Sequence, residues 1–471
     1  MTVVLVTDEW AGLGLALLMK RQGSDVVVAY DHSALDDKDL ENSEICGNGL
    51  VDKVPLAGAM QKLTGKGHLW VFDSNGLADR ADHLRARGEA VIGASVLSQR
   101  LEDDRDFAVE FASRAGLKVP ETEKFTDYQR AVKWLQKNSG KAFVYKPDKQ
   151  DPTSTYVPLD ADEPDRANAE LQEYLGALAG RKREGAPSFI LQEVVRGHEA
   201  NFDIWVRNGE PLVAFCDLES KRKMVGDLGE NIGCAGGYAY KAPLESRGVR
   251  VTAGRYLSLP EVADYTGSID ANVIFTDDGE PWFLENCWRL GYNAFPAIAY
   301  GLAQWNTEDI LRSWASGGES LEGAFSDDFA ASLTLIVDHP KQGTPILARP
   351  IVEDHLYLYR AYKEGSLPAL VSGWEEVAAV LSAGEEIHDA GESCLSLASQ
   401  VSIPGVGYRV DLADGDRSTL PIARYNFLVG MALLGASKAS PERATIEEKV
   451  TEKGFSRASE GHTGPRPYFR V

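Results

Sequence analysis

Residues 270–291 read Asp-Ala-Asn-Val-Ile-Phe, then Thr-Asp-Asp-Gly, then Glu-Pro-Trp-Phe-Leu-Glu-Asn-Cys-Trp-Arg-Leu-Gly. Two apolar runs flank Asp278-Gly279, a dipeptide that tolerates the positive φ angles of a tight hairpin turn. A hairpin commits this part of the chain to an antiparallel sheet, whose side chains alternate between faces. Glu285, Cys287 and Arg289 therefore share one face of the second arm, and Asp270 and Asn272 share one face of the first. A carboxylate, an amide and an arginine on one side of a hairpin can hold a hard cation and the phosphates it accompanies. A surface hairpin with an ordinary ion pair presents the same residues, so the rest of the chain has to decide.

The N-terminal stretch sets a different pattern. Residues 3–6 are a β-branched run, Gly12-Leu-Gly14 opens a helical pattern to Arg21, and residues 25–30 are a second strand ending before Asp31. This is the βαβ opening of a doubly wound sheet. It loosely echoes a dinucleotide fingerprint, but the third glycine is missing from its required place. Residues 68–73, 78–87 and 90–92 continue as strand, helix and strand, giving a Rossmann-like domain over residues 1–98.

The next expected domain covers residues 99–330. Residues 103–115 predict a helix capped by Asp103 or Asp104, with Phe107 and Phe111 on one face and Gly116 and Pro120 stopping it. A helix at 128–136 and a strand at 142–146 follow, and the strand delivers Lys146 into a loop at 148–155. A strand at 188–193 precedes a hairpin of 199–206 and 211–216 about Asn208-Gly209. Residues 221–237 are glycine-rich and polar, read as a loop, and begin Lys221-Arg222-Lys223. A helix is expected at 307–315. Residues 331–436 read as a mixed α/β domain, with strands near 332–337, 355–359, 394–398 and 407–410 and a helix at 374–383. Residues 437–471 are a polar tail without a sustained period.

Composition narrows the function. A net charge of −22 opposes broad binding to nucleic acid or anionic membrane. No apolar run is long enough to span a bilayer, and the N-terminus lacks a basic n-region and cleavage site. The five cysteines are scattered without paired spacing, which fits a reducing, cytoplasmic setting and opposes a zinc site. Oligomeric state is not written in these features.

In chain order the charged candidates are Arg105, Lys146, the 193–195 strand end, Glu199, Lys221-Arg222, Asn272, Glu285 and Arg289. That order resembles the ATP-grasp ligases, and most of all the phosphoribosylamine–glycine ligase (glycinamide ribonucleotide synthetase) group. The resemblance covers roughly residues 1–430 and is most specific over 101–292. It implies an ATP-grasp fold with an N-terminal doubly wound domain and a C-terminal mixed α/β domain. Arg105 stands where the family's helix carries a phosphate lysine, and Lys146, in Phe143-Val-Tyr-Lys146-Pro-Asp148, matches the second phosphate lysine. Gln192-Glu193-Val194-Val195 matches the adenine hinge, which implies the Glu193 carbonyl and Val195 amide on the adenine edge and Glu199 on the ribose. Lys221, Arg222 and the glycines to Gly237 match a substrate loop, and Glu285 with Arg289 and Gly291 matches the metal motif.

These residue types suit amide formation from a carboxylate activated as an acyl phosphate, in which the protein positions and neutralises phosphoryl charge. Lys146 and Arg105 would meet phosphate oxygens. Glu285 and Asn272 would hold Mg²⁺, or Mn²⁺ in its place. Arg289, Lys221 and Arg222 would act where acyl charge develops. ATP, a small carboxylic acid and an amine are the expected ligands. The alternative is an ATP-binding protein of the same fold without turnover.

The chain also departs from the family. Residues 149–155 carry no glycine where the family has a phosphate lid, leaving the hydroxyls of Thr153, Ser154 and Thr155 to substitute. Cys287 replaces the asparagine of Glu-x-Asn-x-Arg-x-Gly, unless a bulge turns Asn286 inward. Asp8-Glu-Trp-Ala-Gly12 replaces the glycine-rich stretch that serves phosphoribosylamine. The acceptor is therefore expected to differ, and a neutral or cationic amine is the expectation.

Overall fold

The N-terminal β-branched runs form β1 (Val3–Thr7) and β2 (Val26–Tyr30), joined by β3 (Asp52–Pro55), β4 (Leu69–Phe72) and β5 (Ala90–Ile92). In a computed structural model, described over residues 1–33, 37–148, 155–158, 161–180, 188–415 and 420–435, these strands are parallel in the order β3-β2-β1-β4-β5. Every residue of β1 and β4 is buried, as parallel strands covered on both faces require. Helices Asp37–Ile45 and Leu56–Leu63 and strand β3 lacked a sequence signal strong enough to read.

Helix Arg105–Arg114 starts as expected, with the Asp104 side chain accepting the Phe107 N–H at 3.1 Å. Strands β6 (Thr122–Phe125), β7 (Phe143–Pro147) and β8 (Phe189–Glu193) form a small antiparallel sheet in the order β6-β8-β7. It has its own core, with Phe125, Phe143 and Phe189 packed against Leu135 and Leu171 of the covering helices.

Most of the remaining strands build one large sheet. β9 (His198–Arg207) and β10 (Glu210–Met224) turn at Asn208 and Gly209, whose φ values of 49° and 74° are those of the expected tight turn. β11 (Leu228–Ala242) returns along β10. Residues 221–237 are therefore a hairpin rather than a loop: its tip holds Gly226 and Asp227 at φ 75° and 57°, and its polar alternation reflects one face turned to a cavity. β12 (Gly267–Phe275) and β13 (Pro281–Asn286) form the expected antiparallel pair. With β14 (Phe329–Val337), the order is β13-β12-β9-β10-β11-β14, continued by Glu376–Gly384 and Leu356–Leu358. Position 331, where the C-terminal domain was expected to begin, lies inside β14, so the sheet crosses it without a break.

Two C-terminal expectations are corrected. Residues 374–383 were expected to be helical from their Glu, Ala and Leu content; Glu376–Gly384 is a strand. It lies between β14 and Leu356–Leu358 and is buried along most of its length, so tertiary pairing outweighs propensity. Residues 394–398 were expected to be a strand; they end the helix Ile387–Ala398, whose buried Ile387, Ala390, Gly391, Cys394, Leu397 and Ala398 recur at helical spacing. The tail at 437–471 lies outside the described residues.

Arg409 ties the tip of the β10–β11 hairpin to the C-terminal segment. It is 2% exposed and makes bonds of 2.8 and 2.7 Å to the two Asp411 oxygens and one of 2.7 Å to Asp227. Asp411 also accepts the Gly226 N–H at 2.8 Å. Arg409→Ala leaves two carboxylates facing each other without the cation and is expected to cost about 3 kcal/mol, read from the midpoint of denaturant unfolding.

Candidate active site

The hairpin β12–β13 and the small sheet β6-β8-β7 face each other across a cavity of about 700 Å³, closed at its far end by turns of the N-terminal sheet. The hairpin register fixes what it presents. Asn272 lies opposite Glu285, Val273 lies opposite Phe283, and Leu284 is the extra residue of a β-bulge. The bulge aims the Leu284 carbonyl at Lys146 Nζ, 3.1 Å away. It does not turn Asn286 inward: Asn286 is 1% exposed and lies on the opposite face beside Tyr256, while Cys287 lines the cavity.

Glu285 is the centre of a cation cluster. One carboxylate oxygen pairs with Arg105 at 3.1 Å and the other with Lys221 at 3.0 Å. Burial alone would raise its pKa, but Lys221, Arg105 and Lys146 outweigh burial and hold the carboxyl far below its usual range. Lys146 donates to Gln192 Oε1 at 2.7 Å, and burial together with the Arg105 charge pulls it down to about 7. Lys221 also pairs with Glu199 at 2.7 Å. Burial opposes the Lys221 charge, but Glu199, Glu285 and Glu219 overcome it and raise its pKa. Arg105 stands at the first turn of its helix and also donates to the Pro147 carbonyl at 3.4 Å, so helix and strand β7 are locked together at the cluster.

The other expected residues divide. Arg289 lines the cavity, pairs with Glu102 at 2.9 Å and stacks over Tyr292 at 4.1 Å. Arg222 lines the cavity and donates to the Gly229 carbonyl at 2.8 Å. Lys223 turns away to Asp338 and to Glu375, the latter at 2.7 Å. Glu193 and Val195 line the cavity at the end of β8; the Glu193 N–H is taken by the Glu121 carbonyl, and its carboxylate pairs with Lys141 at 2.9 Å at the rim. Of the substitute phosphate lid, Thr155 lines the cavity, and residues 149–154 lie outside the described residues.

Two cavity residues have roles that the sequence did not assign. Glu102 and Gln192 are partners of Arg289 and Lys146, and partnership across the chain is invisible without the fold. Below the cluster lies a floor of acids. Asn201 donates to Asp217 at 2.8 Å and to Glu219 at 3.3 Å, and Asn272 donates to Asp270 at 3.2 Å. Burial, joined by the charge of Glu219 at Asp217 and by that of Asp217 at Asp270, raises the pKa values of Asp217 and Asp270. Period-two spacing along β10 could have placed Asp217, Glu219 and Lys221 on one face.

The N-terminal turn is filled. The Gly12 N–H donates to Asp73 Oδ2 at 2.7 Å, and a Cβ at Gly14 would lie 2.5 Å from the Tyr357 ring. The Tyr357 hydroxyl donates to the Ala11 carbonyl at 3.2 Å. Burial, with Asp8 beside it, pushes Asp73 up to about 8, and burial with Glu9 pushes Asp8 up to about 6. Glu9 itself accepts from the Tyr292 hydroxyl at 3.2 Å. The two glycines thus serve close packing, and no dinucleotide cradle is formed.

Mg²⁺ fits the hairpin as a partial site. Glu285 and Asn272 are direct cross-strand neighbours, and Mg²⁺ commonly takes one or two protein oxygens with phosphate and water completing its shell. Among the described residues there is no cluster of three His, Cys, Asp or Glu side chains that would form an all-protein cage.

This architecture, a small antiparallel sheet closing on a large one over a cation-lined cavity behind a doubly wound domain, is the ATP-grasp fold. The chain resembles phosphoribosylamine–glycine ligases: it is 24% identical over 345 residues to that enzyme from Pasteurella multocida, covering 70% of this chain and 78% of the relative. Among solved structures, phosphoribosylamine–glycine ligase from Thermotoga maritima matches with a TM-score of 0.64 at 16% identity, over 87% of this chain and all of that one. The L-amino acid ligase from Bacillus licheniformis matches with a TM-score of 0.55 at 16% identity, over 85% and 98% of the two chains. The biotin carboxylase domain of 2-oxoglutarate carboxylase from Hydrogenobacter thermophilus, solved with MgADP, matches at 0.57 and 13% identity over 93% and 99%. No family model matches the chain. Among the described residues no helix is long and apolar enough to cross a membrane.

Proposed function

We propose that this chain is an ATP-dependent carboxylate–amine ligase that activates a small acid as an acyl phosphate, releases ADP and phosphate, and joins the acid to an amine. The gathering of Arg105, Lys146 and Lys221 about Glu285, directly across from Asn272, carries this reading. Lys221 is shared between Glu285 and Glu199, Arg105 is held by Glu285, and Lys146, bonded to Gln192 and the Leu284 carbonyl, is the amine that a triphosphate would recruit as a cation. The purine would lie at the strand end holding Glu193 and Val195, with Glu199 toward the ribose. Mg²⁺ held by Glu285 and Asn272 would draw charge from the phosphate oxygens, and Mn²⁺ is the ion to compare with it. Arg105 and Lys146 would fix the phosphates. Lys221 and Arg222 would face the transferring phosphoryl group. Arg289, kept charged and oriented by Glu102, would stabilise the oxyanion as the amine attacks. ADP release dependent on both an acid and an amine, measured across panels of each, is the test.

The acceptor we propose is not phosphoribosylamine. A phosphate is normally bound by free amides at a glycine-rich helix start. Here the Gly12 amide is spent on Asp73, Tyr357 covers Gly14, and Asp8 and Glu9 add negative charge. Freshly generated phosphoribosylamine with glycine is expected to give ADP release at the background rate. Robust turnover, lost in Glu285→Gln, would overturn this and make the chain a phosphoribosylamine–glycine ligase with an altered pocket. A second reading, nucleotide binding without turnover, is favoured by Cys287 in the cavity at the motif's asparagine place; absence of ADP release with every acid and amine pair would select it.

A further inference from the structure

The cavity holds one more cation, and it arrives from behind the sheet. Helix Pro421–Gly430 packs on the face of β9 and β10 opposite the cavity: Phe427 stacks on His198 with ring centroids 3.8 Å apart and planes 15° apart. Leu428 and Leu433 are fully buried, and the Gly248 N–H donates to the Leu433 carbonyl at 2.7 Å, so the helix is an integral part of the fold. His198 and Glu199 are neighbours in β9 and point to opposite faces, His198 to the helix and Glu199 to the cavity. The β9–β10 ladder stops at Asn201 opposite Asp217; beyond it β9 stays with β12 and β10 with β11. Arg424 sits where the two strands part. It is 8% exposed, donates to the Glu219 carbonyl at 2.7 Å, and lines the cavity with Glu199 and Lys221.

We propose that Arg424 is a nucleotide-specificity residue that reads the ribose hydroxyls of the bound nucleotide from the far side of the sheet. The inference rests on the nucleotide reading above. A ribose diol both donates and accepts. Glu199 offers acceptors only, and a guanidinium offers five donors in a planar fork, of which the Glu219 carbonyl occupies one. The two groups complement a diol, whereas a carboxylate alone satisfies only its protons. The phosphate-facing cations cluster at Glu285; Arg424 instead stands by His198 and Glu199, at the hinge end of the cavity, where its charge reinforces the effect of burial in depressing the His198 pKa.

The experiment is calorimetric titration of ATP and 2′,3′-dideoxy-ATP into the parent, Arg424→Met and Arg424→Lys, with thermal unfolding of each. The parent is expected to prefer ATP by about tenfold, the size of a charge-assisted contact. Arg424→Met is expected to shrink the preference to the share that Glu199 supplies, with dideoxy-ATP affinity near the parent's. Arg424→Lys, which keeps a donor for Glu219, is expected to stay folded and recover part of the preference. If both folded variants keep the parent's preference, or lose affinity for both nucleotides equally, Arg424 is structural and the inference falls while the nucleotide reading stands. If the parent binds neither nucleotide, both fall together.

Discussion

Glu285→Gln is expected to lower Mg²⁺-dependent turnover by about a hundredfold or more while ATP still binds, since removing one preorganised charge at a reacting centre commonly costs that much. The carboxylate balances Lys221 and Arg105 and would take the metal with Asn272. A neutral amide leaves the cations unbalanced, so the triphosphate becomes their best counter-ion and nucleotide affinity holds. Turnover at the parent's rate would mean that the metal sits elsewhere, with Asp270 the next carboxylate on that face. The same variant has a pH signature. The Glu285 pKa lies far below its ordinary 4.5, so its ionisation stabilises the fold above that value, and the contribution is lost as pH falls below it. Glu285→Gln should therefore flatten the acid limb of a stability–pH curve. Cys287→Asn, restoring an oxygen donor on the cavity face, is expected to leave turnover intact and to lower the Mg²⁺ concentration giving half-maximal rate. A large loss of rate would assign Cys287 a role of its own.

Lys146→Ala is expected to weaken ATP binding by roughly tenfold or more, from the loss of one charge-assisted contact worth about 1.5–3 kcal/mol. Unchanged affinity by calorimetry would move the nucleotide out of this cavity. The buried amine also predicts a proton linkage. With its pKa lowered from 10.5 to about 7, folded Lys146 lacks a proton that the unfolded chain holds, so stability rises with pH between about 7 and 10.5. Phosphate oxygens favour the ammonium. ATP binding at pH 8 is therefore expected to take up a proton, seen as a dependence of the apparent enthalpy on the buffer's heat of ionisation, and Lys146→Ala should abolish that dependence.

Much of this fold was legible where local chemistry and tertiary context agree. The Asn208-Gly209 and Asp278-Gly279 turns, the Asp104 cap and the parallel N-terminal strands follow from turn geometry, capping and β-branching, none of which needs a partner. Glu376–Gly384 was misread because its alanines and leucine favour a helix in isolation, and its burial between two strands decides otherwise. The hairpin at 221–237 was misread because one face points into a polar cavity, which removes the apolar alternation of a half-buried strand. Arg105, Lys146, Lys221 and Glu285, singled out by chain order, come together at the cavity. The pairings of Glu102, Gln192 and Arg424 were not legible, since each is made with a residue 187, 46 and 205 positions away, respectively. The 287-position case shows the same limit from the other side: alternation correctly put Cys287, not Asn286, on the cavity face.

The unbroken large sheet has a consequence for how the molecule comes apart. Its strands run from the hairpin β12–β13 through β14 to Leu356–Leu358, so backbone amides on both sides of position 331 belong to one cooperative unit. The sheet β6-β8-β7 has a separate core, so it is expected to open without breaking the large sheet. In native-state hydrogen exchange, amides of β10, β11 and β14 would exchange together and only at the global unfolding free energy, those of β7 and β8 at a lower one. A nucleotide seated between the two sheets would slow the second group, because it bridges units that otherwise breathe apart.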